Sequence, residues 1–267
     1  MKLIRKHAFC YDGDMNIYPL ESYDIIGDFH THTLASQHAY STVNELVQAS
    51  IQKGFKALAI TDHGPEMSDG CLQHHFKCIP ELPDMIGDLR LYKGSEVNIK
   101  DFKGRIDLPE KILIKLDFII ASYHVEAIKP GTKEENTEGW LHAIENPFVD
   151  SLGHAGNPVF DFEHEPVIKK LSEYGKILEI NNNSFIIRHG SDENCRDIIR
   201  LCMKYDVPVI ITSDAHHLWN VGKVDISQKV LREMDFPPER ILNTSFEAID
   251  GYIRRRKDEK ISYIEAK

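Results

Sequence analysis

No stretch of the 267-residue chain reaches the roughly 18 consecutive apolar residues that a membrane-spanning helix needs. The first residues, MKLIRKHAFCYDGDMN, hold no apolar core of the kind that marks a secretory leader. Cysteine is sparse: Cys10, Cys71, Cys78, Cys195 and Cys202 are odd in number and form no C-x-x-C, which argues against a disulfide framework and against a zinc finger. These absences predict a soluble protein of the reducing cytoplasm. An excess of positive charge is also missing, with 32 basic against 42 acidic side chains and a net charge of −10. That balance disfavours nucleic acid as a partner. It also means that an anionic substrate needs concentrated local positive charge, which metal ions supply. No low-complexity linker and no internal repeat divides the chain. Residues 25–267 read as a single domain, preceded by an extension over residues 1–24 that is polar and broken by Gly13 and Pro19.

What the chain does have is alternation. Runs rich in branched and aromatic residues at 23–29, 56–61, 89–95, 116–122, 147–153, 176–181 and 207–213 are separated by segments of helical periodicity. This order predicts βα units and a parallel sheet. The segment STVNELVQASIQKG illustrates the pattern. Thr42 and Glu45 stand at capping-box spacing, Val43, Leu46, Val47 and Ile51 form an apolar stripe, and Gly54 sits where a helix-ending glycine belongs. Further helices are expected near 137–146, 166–174, 192–205, 226–235 and 245–257, with Cys195 and Cys202 as small core residues on one helix face.

The residues just past each run carry the chemistry. His30 and His32 follow the first, His63 the second, Glu96 the third, His124 the fourth and His154 the fifth; Asn181 to Asn183 follow the sixth, and Asp214 and His216 the seventh. In a parallel α/β barrel the carboxyl ends of the strands meet at one face, which holds the active site. Residues scattered along the chain would therefore converge.

Histidine is the commonest neutral metal ligand. The spacing His30-x-His32 turns both rings to one side of a strand, and Asp214-x-His216 repeats it. A carboxylate such as Glu96, set among histidines, can bridge two divalent ions. With His38 the candidates are His30, His32, His38, His63, Glu96, His124, His154, Asp214 and His216. That is more than one four-coordinate zinc can use, and it suits two or three ions. Three divalent ions against two carboxylates would leave about +4 of charge, a strong attractor for phosphate.

The segments DFHTHTLASQHAYST, ITDHGPEM, GSEVNI, ASYH, GHAGNP, LEINNNSF and SDAHH together resemble the PHP (polymerase and histidinol phosphatase) superfamily, from about residue 25 to about residue 250. Within it they look most like the YcdX-like bacterial phosphatases with a trinuclear site. The resemblance implies a TIM-like, distorted (β/α)7 barrel and phosphoester hydrolysis, with Glu96 and Asp214 central to catalysis. It implies that His30, His32, Glu96 and Asp214 hold a first divalent ion, that Glu96 bridges to a second completed by His124 and His154, and that His38, His63 and His216 hold a third. Zinc is the first expectation; manganese and iron suit the same nitrogen and oxygen donors. A hydroxide held between two ions would attack phosphorus in a small phosphorylated metabolite.

Around this set, Asp28 and Asp62 are expected either to support ligand histidines or to cap the chain locally. Arg188, which can grip a phosphate in bidentate fashion, and Asn181 are the expected substrate contacts. His74 and His75, placed in a loop, and His217 are bystanders, as are His7, His142, His164 and His189. The RRRK run at 254–257 is expected on the solvated face of a terminal helix. Three rival readings stand beside the phosphatase. A nuclease of the same superfamily on short nucleic acids is disfavoured by the lack of basic–aromatic interleaving. A metal-dependent amidohydrolase would want an eighth strand and a lysine where His124 stands. A binding module that has lost catalysis would have lost ligands.

Overall fold

The computed structural model describes residues 23–267. The expected extension thus lies outside the described residues except for Tyr23 and Asp24, and the Tyr23 hydroxyl donates to the Phe236 carbonyl at 2.7 Å.

The strands, in chain order, are β1 (Gly27–Asp28), β2 (Ala57–Ile60), β3 (Met85–Ile86), β4 (Leu89–Asn98), β5 (Phe118–Ser122), β6 (Ser151–Leu152), β7 (Ile177–Asn181) and β8 (Val209–Thr212). All but β3 pair in parallel, in the order β1-β2-β4-β5-β6-β7-β8, and each occupies one of the seven expected runs. β3 was not foreseen: it folds back antiparallel on β4 through Gly87, which takes a left-handed φ of 59°.

The ring nearly closes. At its carboxyl end Thr31 bridges in parallel to Ala215, and the His32 amide donates to the Ala215 carbonyl at 2.8 Å. Deeper in the barrel, residues 241–243 fill the gap between β1 and β8. Ile241 bridges to Val209, and the Ile26 amide donates to the Asn243 carbonyl. The Asn243 side chain donates to the carbonyls of Gly27 (3.1 Å) and Ile211 (2.7 Å) and accepts the Ile211 amide at 3.0 Å. A buried side-chain amide thus stands in for ladder bonds that the two strands cannot make to each other.

The helices are α1 (Val43–Gln52), α2 (Gln73–Cys78), α3 (Glu110–Leu113), α4 (Lys133–Glu145), α5 (His164–Glu173), α6 (Ser191–Lys204), α7 (Asp225–Glu233) and α8 (Phe246–Glu265). The capping box of α1 forms as expected. Its buried face is shifted, however: Leu46, Val47, Ala49 and Ser50 go inward while Ile51 stays 42 % exposed. Ser50 can be buried because its hydroxyl donates to the Leu46 carbonyl at 2.9 Å. The short α2 and α3 were not foreseen, so His74 and His75 lie on a helix and not in a loop. Cys195 and Cys202 are buried on α6 as expected.

Two apolar layers follow from strand alternation. Leu58 and Ile60 of β2 face the helices, in the large outer core. Ala57 and Ala59 face inward with Phe29, Tyr92, Phe118, Ile120, Ile177 and Ile210, and this inner core is sealed by Ile249, Tyr252 and Ile253 of α8. α8 therefore plugs the amino end of the barrel. The RRRK run departs from its expected solvation here. Arg256 is buried and pairs through Nε with Asp150 at 3.1 Å, Lys260 reaches the same carboxylate at 2.5 Å, and Lys257 meets Asp117 at 2.8 Å. Buried charges of this kind persist when paired. Among the described residues no helix is long and apolar enough to cross a membrane.

Candidate metal centre

β4 runs three residues beyond its expected end, and this extension positions Glu96. Tyr92, Gly94, Glu96 and Asn98 alternate onto one strand face; since Tyr92 packs in the inner core, Glu96 rises from it into the carboxyl-end mouth. The side chain is fully buried, and its two oxygens serve different neighbours. Oε2 lies 3.3 Å from His30 Nε2, 3.7 Å from His32 Nε2 and 2.8 Å from His63 Nδ1. Oε1 lies 2.9 Å from His154 Nε2 and 3.4 Å from His124 Nε2. Asp214, carried past β8, puts Oδ1 3.2 Å from His32 Nε2 and 3.5 Å from His30 Nε2. The remaining two candidates close the outer edge. His38 Nε2 lies 3.2 Å from His63 Nε2, and the His38 and His216 rings stack with centroids 4.7 Å apart. All nine residues named from the sequence converge on one mouth.

Many of these contacts are close without being hydrogen bonds. His30 Nε2, both nitrogens of His32, His63 Nδ1 and Glu96 Oε2 are buried with no aligned partner among the described residues. Unsatisfied buried polar atoms are costly, and a concentration of them around one point fits donors that share cations. The spacing fits as well. Donors about 2.0–2.2 Å from a tetrahedral zinc lie roughly 3.4 Å from one another, which is the range seen between these nitrogens and oxygens.

The opposite ring nitrogens are tied down, which fixes tautomer and orientation. His30 Nδ1 bonds to Glu179, His38 Nδ1 to Asp69 at 2.6 Å, His124 Nδ1 to Asn98 Oδ1 at 2.7 Å, and His216 Nδ1 to the Asp214 carbonyl at 2.9 Å. Glu179, Asp69 and Asn98 were not named from the sequence. Asp28 and Asp62, the residues named there for support, brace backbone and hydroxyls instead. Asp28 accepts the amides of Ser213 (3.2 Å) and Gly222 (2.8 Å) across the seam. Asp62 accepts the Thr33 amide (2.7 Å) and the hydroxyls of Thr33 and Ser36 (both 2.8 Å), which shapes the turn leading to His38. His75 Nε2 lies 3.2 Å from Asp62 but is buried with no aligned partner among the described residues.

The electrostatics are those of a concentrated negative site. Burial opposes charge on His30, yet Glu179, Glu96 and Asp214 around it raise its pKa well above the ordinary imidazole value. Against the same burial penalty, the neighbouring imidazoles hold the carboxyls of Glu96 and Asp214 well below the usual range. Burial, with His63 and His216 nearby, keeps His32 neutral, and burial beside Arg188 takes His154 down to about 4. Backbone conformation is tight at two of the candidates: His154 and Asp214 adopt left-handed φ values of 28° and 54°, which side chains other than glycine rarely take.

Arg188 and Asn181 also reach the mouth. Arg188 Nη2 lies 3.3 Å from Asp214 Oδ2, and its Nη1 is buried without a partner among the described residues. Asn181 Nδ2 donates to Glu179 and Asp214, both at 3.2 Å. His142 (to the Phe102 carbonyl) and His164 (to Asp197) are engaged elsewhere, while His189 is exposed; His7 lies outside the described residues.

Residues 28–187 match the family described as PHP domain. A protein of Acetivibrio thermocellus described as a probable phosphatase is 44 % identical over 231 residues, spanning 86 % of this chain and 96 % of that protein. One of Caldicellulosiruptor bescii with the same description is 43 % identical over 225 residues, spanning 84 % and 94 %. Among solved structures, a histidinol phosphate phosphatase of Lactococcus lactis, complexed with zinc, L-histidinol and phosphate, is similar with a TM-score of 0.55 and 18 % identity, over 79 % of this chain and 94 % of that one. A chain in an archaeal ribonuclease P bound to mature tRNA is similar with a TM-score of 0.54 and 16 % identity, over 85 % and 90 %. At such identities these two likenesses concern the fold.

Proposed function

The chain belongs to the PHP family and is a hydrolase of phosphoester bonds, and we propose that it works as a metal-dependent phosphomonoesterase on a small phosphorylated metabolite. The observation that carries this reading is the division of Glu96. One oxygen faces His30, His32 and His63, the other His124 and His154, at 2.8–3.7 Å. A carboxylate divided in this way fits a bridge between two divalent ions. His30, His32, Glu96 and Asp214 would hold one ion, Glu96, His124 and His154 a second, and His38, His63 and His216 a third. The all-nitrogen-and-oxygen donor set and its spacing suit zinc, with manganese or iron as the other candidates.

Divalent ions bound there supply an acidified water and positive charge against the phosphoryl oxygens. The chain's own residues do the rest by positioning, which is most of what phosphoryl transfer requires. Glu179, Asp69 and Asn98 hold His30, His38 and His124 with Nε2 turned to the centre. Arg188 presents a buried Nη1, unpartnered among the described residues, beside Asp214, where it can take one phosphoryl oxygen. Two buried thiols are poor nucleophiles: burial pushes Cys195 up to about 12 and Cys71 higher still.

Release of phosphate from a panel of monoesters, assayed with zinc, manganese and iron and compared with cleavage of a short oligonucleotide, tests the reading. Monoester hydrolysis that ceases on chelation is expected. Oligonucleotide cleavage without monoester hydrolysis would replace it with a nuclease.

A further inference from the structure

Among the described residues the most exposed large apolar side chains are Leu72 (79 %), Tyr40 (72 %), Trp219 (69 %), Ile187 (61 %) and Leu34 (54 %), and all five lie in segments that follow strands at the carboxyl end of the barrel. The backbone around three of them is tied at one buried junction. The Ser41 carbonyl accepts the Leu34 amide at 2.8 Å, and the Ser41 hydroxyl accepts the Leu218 amide at 2.9 Å. Leu34, Tyr40 and Trp219 are therefore each at, or one residue from, the same pair of hydrogen bonds. The Tyr40 amide donates to the His216 carbonyl at 2.7 Å, which anchors this group to the His38–His63–His216 edge of the centre.

Exposed apolar patches in soluble proteins mark binding surfaces. We propose that Leu34, Tyr40 and Trp219 form a subsite for a flat aromatic leaving group, so that the preferred substrates are phosphomonoesters of aromatic alcohols. The inference rests on the phosphatase reading and narrows its substrate class. Its occupant follows from place and size. The patch shares its segments with His38 and His216, so its backbone borders the centre where a phosphoester would sit. Three side chains of this kind offer at most a few hundred Å², short of the roughly 800 Å² per partner that a stable protein interface buries; an aromatic ring matches that area.

The test uses the metal-loaded enzyme and two non-hydrolysable probes, benzylphosphonate and methylphosphonate. Benzylphosphonate is expected to inhibit about tenfold more tightly and to shift tryptophan emission to the blue, since Trp219 is exposed while Trp140 is buried. Trp219→Ala and Tyr40→Ala each reduce the ratio of inhibition constants toward one, and Trp219→Phe restores much of it. Equal inhibition by the two probes, or a ratio unmoved by both alanine variants, overturns the subsite while leaving the phosphatase reading intact. So does sedimentation showing an assembly that Trp219→Ala dissociates without altering the ratio, which makes the patch an interface between copies. If no monoester is hydrolysed and neither probe binds, the phosphatase reading fails and the subsite with it.

Discussion

Glu179 reaches two separate histidines of the centre at once. One oxygen takes the His30 ring N–H and the Thr212 hydroxyl, the latter at 2.6 Å; the other takes the backbone N–H of His154, also at 2.6 Å. The second bond helps hold His154 in its left-handed conformation, and the first fixes which His30 nitrogen faces the cluster. Because every partner of Glu179 is a donor, an amide in its place would turn an NH2 group onto one pair of them. Glu179→Gln is expected to weaken metal binding about 10- to 100-fold, with the circular dichroism spectrum retained. Competition with a chromophoric chelator measures it, and unchanged affinity would remove Glu179 from any orienting role.

Glu96→Gln removes the charge shared between the two sides of the site. At least a hundredfold loss in the rate of phosphate release is expected, about 3 kcal/mol of barrier, with metal content reduced and the fold kept. Steady-state kinetics beside elemental analysis decide the matter: a variant of near-normal rate means that no bridge operates through this residue.

Purified protein should contain two to three equivalents of divalent metal, and loading the stripped protein at pH 7 should release protons. The sign follows from His30. The carboxylates around it raise its pKa above the unfolded value, so the metal-free fold carries a proton there at neutral pH. That proton stabilises the metal-free fold fully below the unfolded pKa of about 6.5, and its contribution fades as pH climbs through the raised value. A cation displaces it. Calorimetric titration in buffers of differing ionisation enthalpy counts the release, which should shrink at higher pH.

Arg188→Ala is expected to raise KM for phosphate monoesters about tenfold, because one charge-assisted contact to the phosphoryl group is lost. Arg188→Lys should recover part of the loss, keeping charge without the planar fork. Unchanged kinetics in the alanine variant would leave Arg188 as a structural partner of Asp214.

The parallel strands were legible because buried strands between helices read as unbroken apolar runs, and eight of the nine candidate site residues because each stands just past such a run; His38 lies further along its loop. The runs overstated the ladders. β6 is two residues where seven were marked, since the chain turns at once toward His154. The orienting groups were less visible for differing reasons. Glu179 sits inside LEIN, where a lone acid in a buried strand was a signal that could have been used. Asp69 and His38 are 31 residues apart on two loops joined by tertiary contact, and no local pattern announces such a pair. Arg256 hid in a basic run whose faces cannot be told apart without knowing that Asp150 lies beneath α8.

Asn243 gives the closure of the barrel an unexpected dependence. It arrives from the lead-in to the last helix, after every parallel strand has been laid down, and its amide staples the first stave to the last. Cleaving the chain ahead of it would leave all seven staves in place yet unclasp the hoop at one side, directly beneath the junction where Thr31 meets Ala215 and where His30, His32 and Asp214 are hung.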